Sequence, residues 1–319
     1  FGAPGMPPRW TSSEKDTVGT AYSASSRVWF TVSHGILNEI YYPTIDRPQV
    51  RDLGFLISDG ETFFHEEKRD LEHTFEYIDP DALAVRIVGR EPEGRYTLTK
   101  EIIADPHQSN VLIRVSIAGE KDFLSRLKVY ALLAQHLEVG GAGNSGRIVD
   151  VGGKRILVAW KDGVAVAMAA NCGFTRASCG YVGSSDGWND LNQNFKMDWQ
   201  FDQALDGNIA LTGEIDVALF PEFTIGVSFG HGRHAALAGV MQSLATGFQD
   251  HVDRFITQWH RTKCSLKPHS SSDEGRLLCI SHNILLAHED KTFQGAFIAS
   301  ASIPWGQSKG DDDLGGYHL

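Results

Sequence analysis

The chain has 319 residues, of which 42% are hydrophobic and 22% are charged, a composition typical of a globular protein with a sizeable core. Its 29 basic and 40 acidic residues give a net charge of -11, which disfavours partners such as nucleic acid and anionic membranes, because these attract a basic surface. No apolar run approaches the roughly 18 residues of a membrane helix, so neither nucleic acid nor a membrane is expected as a partner.

The first 232 residues predict a β domain. Short segments alternate apolar and polar residues, and Gly, Pro, Asp or Asn separates them, which is typical of strands. The predicted strand segments are 28–43 (split by Gly35), 83–89, 96–104, 109–119, 127–134, 147–170 (with turns at Gly152-Gly153 and Asp162-Gly163) and 207–230. So many short strands indicate a mainly β fold, a large antiparallel sandwich of two sheets.

The pattern changes after His231. Apolar residues recur every three or four positions from Met241 to Trp259, so residues 235–262 predict one helix that packs against the β domain. Residues 267–275 are typical of a linker, because Pro, Ser and Asp favour turns and helix caps. A second predicted helix begins at Glu274, and an extended stretch follows it.

These elements predict three units along the chain. They are a β-sandwich over residues 1–232, a helical linker over 233–272 and the first part of a second domain over 273–319. About fifty residues cannot bury an independent core, so the second domain is expected to continue beyond this chain.

Several motifs have simpler interpretations than the chemistry they suggest. Gly141, Gly143 and Gly146 fit a dinucleotide-binding spacing, but a strand follows them and no helix, so we predict a flexible hairpin loop. His231 and His234 lack accompanying metal ligands and are interpreted as a polar loop before the helix. The four cysteines have no zinc-like spacing. A disulfide between Cys172 and Cys179 is an alternative to free, buried thiols, which we favour.

Two polar stretches are candidates for binding. The run 311–313 contains three aspartates that suit calcium, although adjacent side chains cannot all reach one ion, and a solvated loop or helix cap is favoured. The segment 188–203 mixes aromatic rings with amides and acids, as sugar-binding sites do, but an ordinary packed loop has the same composition. We favour the packed loop.

Two segments resemble a known family. Residues 25–60, "SSRVWFTVSHGILNEIYYPTIDRPQVRDLGFLISDG", resemble the N-terminal sandwich of bacterial glucoamylases and glucodextranases, glycoside hydrolase family 15. Residues 301–319, "ASIPWGQSKGDDDLGGYHL", resemble the segment at the start of the family's catalytic barrel. The resemblance implies an antiparallel super-β-sandwich, a linker helix and the start of an (α/α)6 barrel.

The resemblance also implies an activity and its residues. The family releases glucose from the non-reducing ends of α-glucans or maltooligosaccharides with inversion, using two glutamates that would lie beyond this chain. Tyr317 would stabilise positive charge on the reacting sugar, and Trp305, His318 and Asp313 would contact substrate. Trp29, Glu39 and Tyr41 are candidates for the wall of the cleft between sandwich and barrel, with core packing as their alternative.

We therefore predict that the chain is the N-terminal portion of a secreted or periplasmic glycoside hydrolase of the glucan 1,4-α-glucosidase type. It is expected to act only with the C-terminal remainder of the enzyme as a second chain. No cofactor is expected, and a structural calcium ion is left open. The alternatives are a dextran-forming transglucosylase of the same architecture and a non-catalytic carbohydrate-binding sandwich.

Overall fold

The computed structural model describes residues 5–11, 13–262, 273 and 275–301. Within these ranges the chain forms seventeen strands, in chain order Thr17–Thr20 (β1), Trp29–Ser33 (β2), Ile36–Tyr41 (β3), Pro48–Ser58 (β4), Phe64–Glu66 (β5), Glu72–Tyr77 (β6), Val85–Arg90 (β7), Tyr96–Ala104 (β8), Asn110–Gly119 (β9), Lys128–Gln135 (β10), Asn144–Val151 (β11), Lys154–Lys161 (β12), Val164–Ala170 (β13), Ala177–Tyr181 (β14), Gln203–Gly207 (β15), Ile209–Ile215 (β16) and Glu222–His231 (β17). The α-helices are Glu67–Asp70 (α1), Lys121–Leu124 (α2), Gly187–Asn194 (α3), Arg233–Leu244 (α4), Phe248–His260 (α5) and Arg276–Ala287 (α6). A 3₁₀ turn covers Leu137–Val139.

The strands form two antiparallel sheets. The first sheet has the order β1-β2-β3-β4-β10-β16-β14, with β5 also paired to β4. The second has the order β15-β11-β12-β13-β17-β9-β8-β7-β6. Alternate side chains of both sheets meet in one apolar core, as in a sandwich, so the predicted mainly β, two-sheet fold is confirmed.

Alternation along β8 shows how the core is built. Tyr96, Leu98 and Ile102 lie on the core face and are almost fully buried. Thr97 and Thr99 lie between them and are only partly buried, as a period of two requires.

The helix predicted over residues 235–262 is two helices in the structure. Helix α4 ends at Leu244, and Gly247 takes an extended conformation as the N-cap of α5. Helix α4 packs its Ala236 and Val240 side chains on the outer face of the second sheet, whereas α5 buries Phe255 and Trp259 in the main core. Two packing surfaces with different directions explain why one continuous apolar stripe became two helices.

Two loop interpretations are corrected by the structure. Gly141 and Gly143 precede β11 and Gly146 lies within it, so a strand and no helix follows, as predicted. The stretch joins β10 of the first sheet to β11 of the second and so is not a hairpin loop. His231 ends β17 and His234 lies in α4, so the polar loop predicted there is only Gly232. Cys172 and Cys179 are free thiols, so no disulfide joins them, as predicted; Cys179 is buried and Cys172 is half-buried.

The turn after β4 is held by one carboxylate. Asp59 Oδ1 accepts hydrogen bonds from the N–H groups of Glu61, Thr62 and Phe63 at 3.0, 2.8 and 3.2 Å, and Oδ2 accepts from the Thr62 hydroxyl. Partial burial would raise the pKa of Asp59, but these hydrogen bonds outweigh it and lower the pKa to about 2.

Asp59→Asn is therefore expected to lose a stabilisation that depends on pH. A carboxyl with a lowered folded-state pKa stabilises the fold above its unfolded pKa of about 3.9, and the effect disappears as pH falls towards about 2. Urea unfolding between pH 2 and pH 7 should show the gap between wild type and variant closing below about pH 4. Asp122→Asn, at an exposed side chain of α2, is the control; an equal gap at every pH would contradict the assignment.

Candidate functional site

The three predicted cleft residues in the β domain lie on two paired strands. Trp29 of β2 and Tyr41 of β3 are register partners, and Glu39 lies two positions before Tyr41 on the same strand. All three are at most 2% exposed. Their role as a cleft wall stays a prediction.

Glu39 is enclosed by its own ion pair. Its Oε2 lies 2.8 Å from Lys15 Nζ and accepts a hydrogen bond of 2.8 Å from the Thr31 hydroxyl. Burial raises the pKa of Glu39, and Lys15 opposes that shift. The carboxylate has no exposed surface, so it is not placed to exchange protons with a sugar.

Residues 289–301, which we call the crossing segment, run over this part of the sheet. The Tyr41 hydroxyl donates to the Ala301 carbonyl at 2.5 Å, and the Ile45 N–H donates to Asp290 Oδ2 at 3.0 Å. Burial, with a smaller contribution from Glu39, raises the pKa of Tyr41 well above its usual value, so the phenol stays protonated as a donor. The contacts fix the position from which the chain continues after Ala301.

Lys291 is a half-buried cation that the sequence analysis did not single out. Its Nζ lies 4.7 Å from the centre of the Trp29 ring and donates to Thr20 Oγ1 and the Ser26 carbonyl. Burial lowers the pKa of Lys291 well below its usual value, which neighbouring Asp290 only partly offsets. A lysine in an exposed-looking stretch, "HEDKTFQ", carries no sequence signal for burial, so its role could be found only from the fold.

The other predicted site residues fall outside the described part of the chain. Asp313, Trp305, Tyr317 and His318 all follow Ala301, and so does the aspartate run at 311–313. The described residues therefore neither bring them together nor separate them. Their roles stay predictions.

One group of metal-type ligands exists among the described residues. Asp79, Asp81 and His260 offer ligand atoms that all lie within 4.8 Å of one another. His260 Nε2 is 3.0 Å from Asp79 Oδ1, and Asn283 donates to the Asp81 carbonyl at 2.9 Å. These contacts join α5 and α6 to the loop before β7, which accounts for the cluster without an ion.

No described helix is long and apolar enough to cross a membrane.

The fold and the crossing segment define a class of protein: a two-sheet antiparallel sandwich domain whose chain continues through helices α4 to α6. Residues 1–263 match the family model described as "Glucodextranase, domain N", which covers more than half of the chain. The chain belongs to the glucodextranase N-domain family. The resemblance to the N-terminal part of bacterial glucoamylases and glucodextranases is thus confirmed.

Individual relatives agree with the family. The chain is 34% identical over 316 residues to a glucoamylase from Clostridium sp. (strain G0005), an alignment that covers 99% of this chain and 45% of that protein. It superposes on a bacterial glucoamylase in complex with acarbose with a TM-score of 0.94 at 33% identity, covering 100% of this chain and 47% of the other. A family GH92 glycosyl hydrolase shares the fold at 11% identity, with a TM-score of 0.52 and coverage of 92% of this chain and 41% of the other. The chain spans about half the length of the glucoamylases it matches.

Proposed function

We propose that this chain is the N-terminal part of an exo-acting α-glucan hydrolase that releases glucose from non-reducing ends with inversion. The observation that supports the proposal is the similarity to a glucoamylase along 99% of the chain, at 34% identity. A bacterial glucoamylase of the same fold holds acarbose, a sugar-like ligand, which fits an enzyme that acts on glucans.

Inversion needs a general acid and a general base on opposite faces of the sugar, about 6.5–9.5 Å apart, with room for a water molecule. The two fully buried glutamates of the described sandwich, Glu39 and Glu67, are each paired with a lysine. Neither has the open space that such a reaction needs. We therefore place the acid and base in the part of the relatives that this chain does not cover.

Residues 273–319 would begin an (α/α)6 catalytic barrel, and Tyr317, Trp305, His318 and Asp313 would belong to its sugar site. The partner of this chain would be the remainder of the barrel, and the enzyme would act outside the cytoplasm. A bound calcium ion is not required by this mechanism.

The experiment uses a protein that contains this chain followed by the region corresponding to the remainder of the glucoamylases. Incubation with maltotetraose should release glucose one unit at a time, and proton NMR should show the β-anomer first. Growth of longer oligosaccharides would contradict hydrolysis and favour the transglucosylase. Release of α-glucose first would contradict inversion.

Tyr317→Phe tests the proposed site in that protein. The phenol oxygen is expected to stabilise charge that develops in the transition state, so its loss should lower kcat about tenfold or more with little change in KM. Tyr22→Phe, at a tyrosine that is 47% exposed on the sandwich, is the matched control and should leave kcat unchanged. Equal kcat values for both variants would remove Tyr317 from the mechanism.

A further inference from the structure

The outer face of the first sheet carries a cavity of about 330 Å³, which we call the outer-face cavity. Its volume is at the lower end of the range for small-molecule sites, about 300–1,000 Å³. The floor is apolar and comes from three adjacent strands; it consists of Gly54 and Leu56 of β4, Leu132 and Ala134 of β10 and Ala210 of β16. These residues alternate with core residues such as Leu53 and Leu133, so they lie on the face turned away from the sandwich core.

Trp188 supplies an aromatic side to the cavity, and its position is fixed from three directions. Its indole N–H donates to Glu66 Oε2 at 2.9 Å, and Phe64 makes an edge-to-face contact with 5.8 Å between ring centres. Its backbone N–H donates to the N-cap Asp186 at 2.9 Å, at the start of α3. The Arg69 guanidinium lies over the Trp188 ring, 5.7 Å from its centre, and the ring is partly exposed and oriented before any ligand arrives.

The charges that line the cavity balance. Three carboxylates and three cations line it: Asp52, Glu66, Asp186, Arg51, Lys68 and Arg69. Arg51 lies 2.9 Å from Asp52, and Arg69 lies 3.2 Å from Glu66, so four of the six charges are already paired. Such a lining offers many donors and acceptors but no excess charge, which favours a neutral ligand rich in hydroxyl groups over an anion or a cation.

Lys68 and Asn189 add groups that can reach a ligand. Lys68 makes no ion pair or hydrogen bond with any residue in the described ranges, although it lines the cavity. Asn189 donates one hydrogen bond to Asp186 at 2.7 Å and leaves its amide oxygen for a hydroxyl. An apolar floor, a fixed indole and polar groups that can form further hydrogen bonds suit a pyranose ring, because its C–H face is apolar and its edge is polar.

The rest of the segment 188–203 has a structural use. Asp190 accepts hydrogen bonds from the Trp199 N–H at 2.6 Å and from the Asn194 side chain at 2.7 Å, which fold the segment back on itself. Leu191 and Met197 are fully buried against the sheet. Only the first two residues of this polar stretch therefore line the outer-face cavity.

We propose that the outer-face cavity binds a neutral glucose unit of an α-glucan, with Trp188 as its aromatic platform. The identity of the sugar rests on the proposed function, whereas the preference for a neutral, hydroxyl-rich ligand rests on the lining alone. The sandwich would then hold glucan as well as contact the chain at Ala301.

Titration calorimetry with the full chain, using maltoheptaose, tests this site. Wild type should bind saturably, and Trp188→Ala should weaken binding about tenfold or more, as the loss of a central tryptophan anchor does. Trp160→Ala is the matched control, because Trp160 is also partly buried and has Arg233 over its ring at 4.6 Å, but lies on the second sheet. It should leave the affinity unchanged.

Thermal unfolding shows whether Trp188→Ala is folded. Trp188→Phe keeps an aromatic platform and should recover part of the affinity. No saturable binding by wild type, or equal affinity in wild type and a folded Trp188→Ala, would overturn the proposal. Tighter binding of glucose 6-phosphate than of glucose would overturn the neutral-ligand preference.

The outcomes also separate this inference from the proposed function. If Trp188→Ala loses binding and the longer protein releases no glucose, the sugar site is supported and the proposed hydrolase is contradicted. If the longer protein releases glucose and binding does not depend on Trp188, the proposed hydrolase is supported and the sugar site is contradicted.

Discussion

Lys100→Met is expected to lower the free energy of unfolding by about 3–5 kcal/mol, because it leaves a buried carboxylate without its partner. Lys100 is 2% exposed and pairs with Glu67, which is fully buried. The amine also donates to the Gly35 carbonyl, and the Glu67 carboxylate accepts from the Phe55 N–H at 3.0 Å. The pair thus joins β8 to β4 and α1 in the middle of the sandwich.

Urea unfolding measures the loss, and the control is Lys128→Met. Lys128 also pairs with an aspartate, Asp216, at 2.8 Å, but its side chain is 31% exposed, so the change should cost about 1 kcal/mol or less. Replacing both partners, as Glu67→Gln with Lys100→Met, should recover part of the loss, since no charge is then stranded. A double variant as unstable as Lys100→Met would contradict this explanation.

The loss should also depend on pH. Burial raises the pKa of Glu67, and Lys100 is the group that opposes the shift, so its removal raises the pKa further. A raised folded-state pKa gives stability at low pH that is lost as pH increases. The deficit of Lys100→Met should therefore be smaller at pH 5 than at pH 8.

Trp29→Ala is the second large effect and is expected to cost about 3–5 kcal/mol, the usual range for removing a fully buried aromatic ring. Trp29 has no exposed surface and lies beneath Lys291. Its removal opens a cavity at the place where the crossing segment, residues 289–301, meets the sheet. Hydrogen exchange of that segment should increase along with the loss of stability.

Two smaller changes at the same place separate the contributions. Trp29→Phe keeps most of the packing and should cost less than half as much. Tyr41→Phe removes only the hydrogen bond to the Ala301 carbonyl and should cost about 1 kcal/mol. If Trp29→Ala cost no more than Tyr41→Phe and exchange were unchanged, the ring would not anchor the segment.

Local patterns identified most of the sheets, because alternation and turn residues act over a few positions. They do not predict β1, β4, β5, β6, β14 or β15. Of these, β6 lies at the edge of the second sheet with little burial, whereas β4 is long and largely buried inside the first sheet. The stretch 188–203 predicts only a polar, packed loop, because helix α3 is eight residues long and its main sequence signal is Asp186 as the N-cap. The sequence does not predict the break before Gly247, because the apolar stripe runs through it and only packing on two surfaces divides the helix.

The class of fold and the family could be predicted from the sequence alone, because each follows from local patterns or from a motif. Only the tertiary structure showed that Lys100, on the core-facing side of β8, has a partner 33 positions away in Glu67, or that Lys291 lies over Trp29. It also placed Trp188 beside Arg51 and Asp52 in the outer-face cavity. Such pairings depend on which strands and loops become neighbours in the fold. Burial of the whole core decides this, and it involves residues from the entire chain, so no short stretch of sequence predicts it.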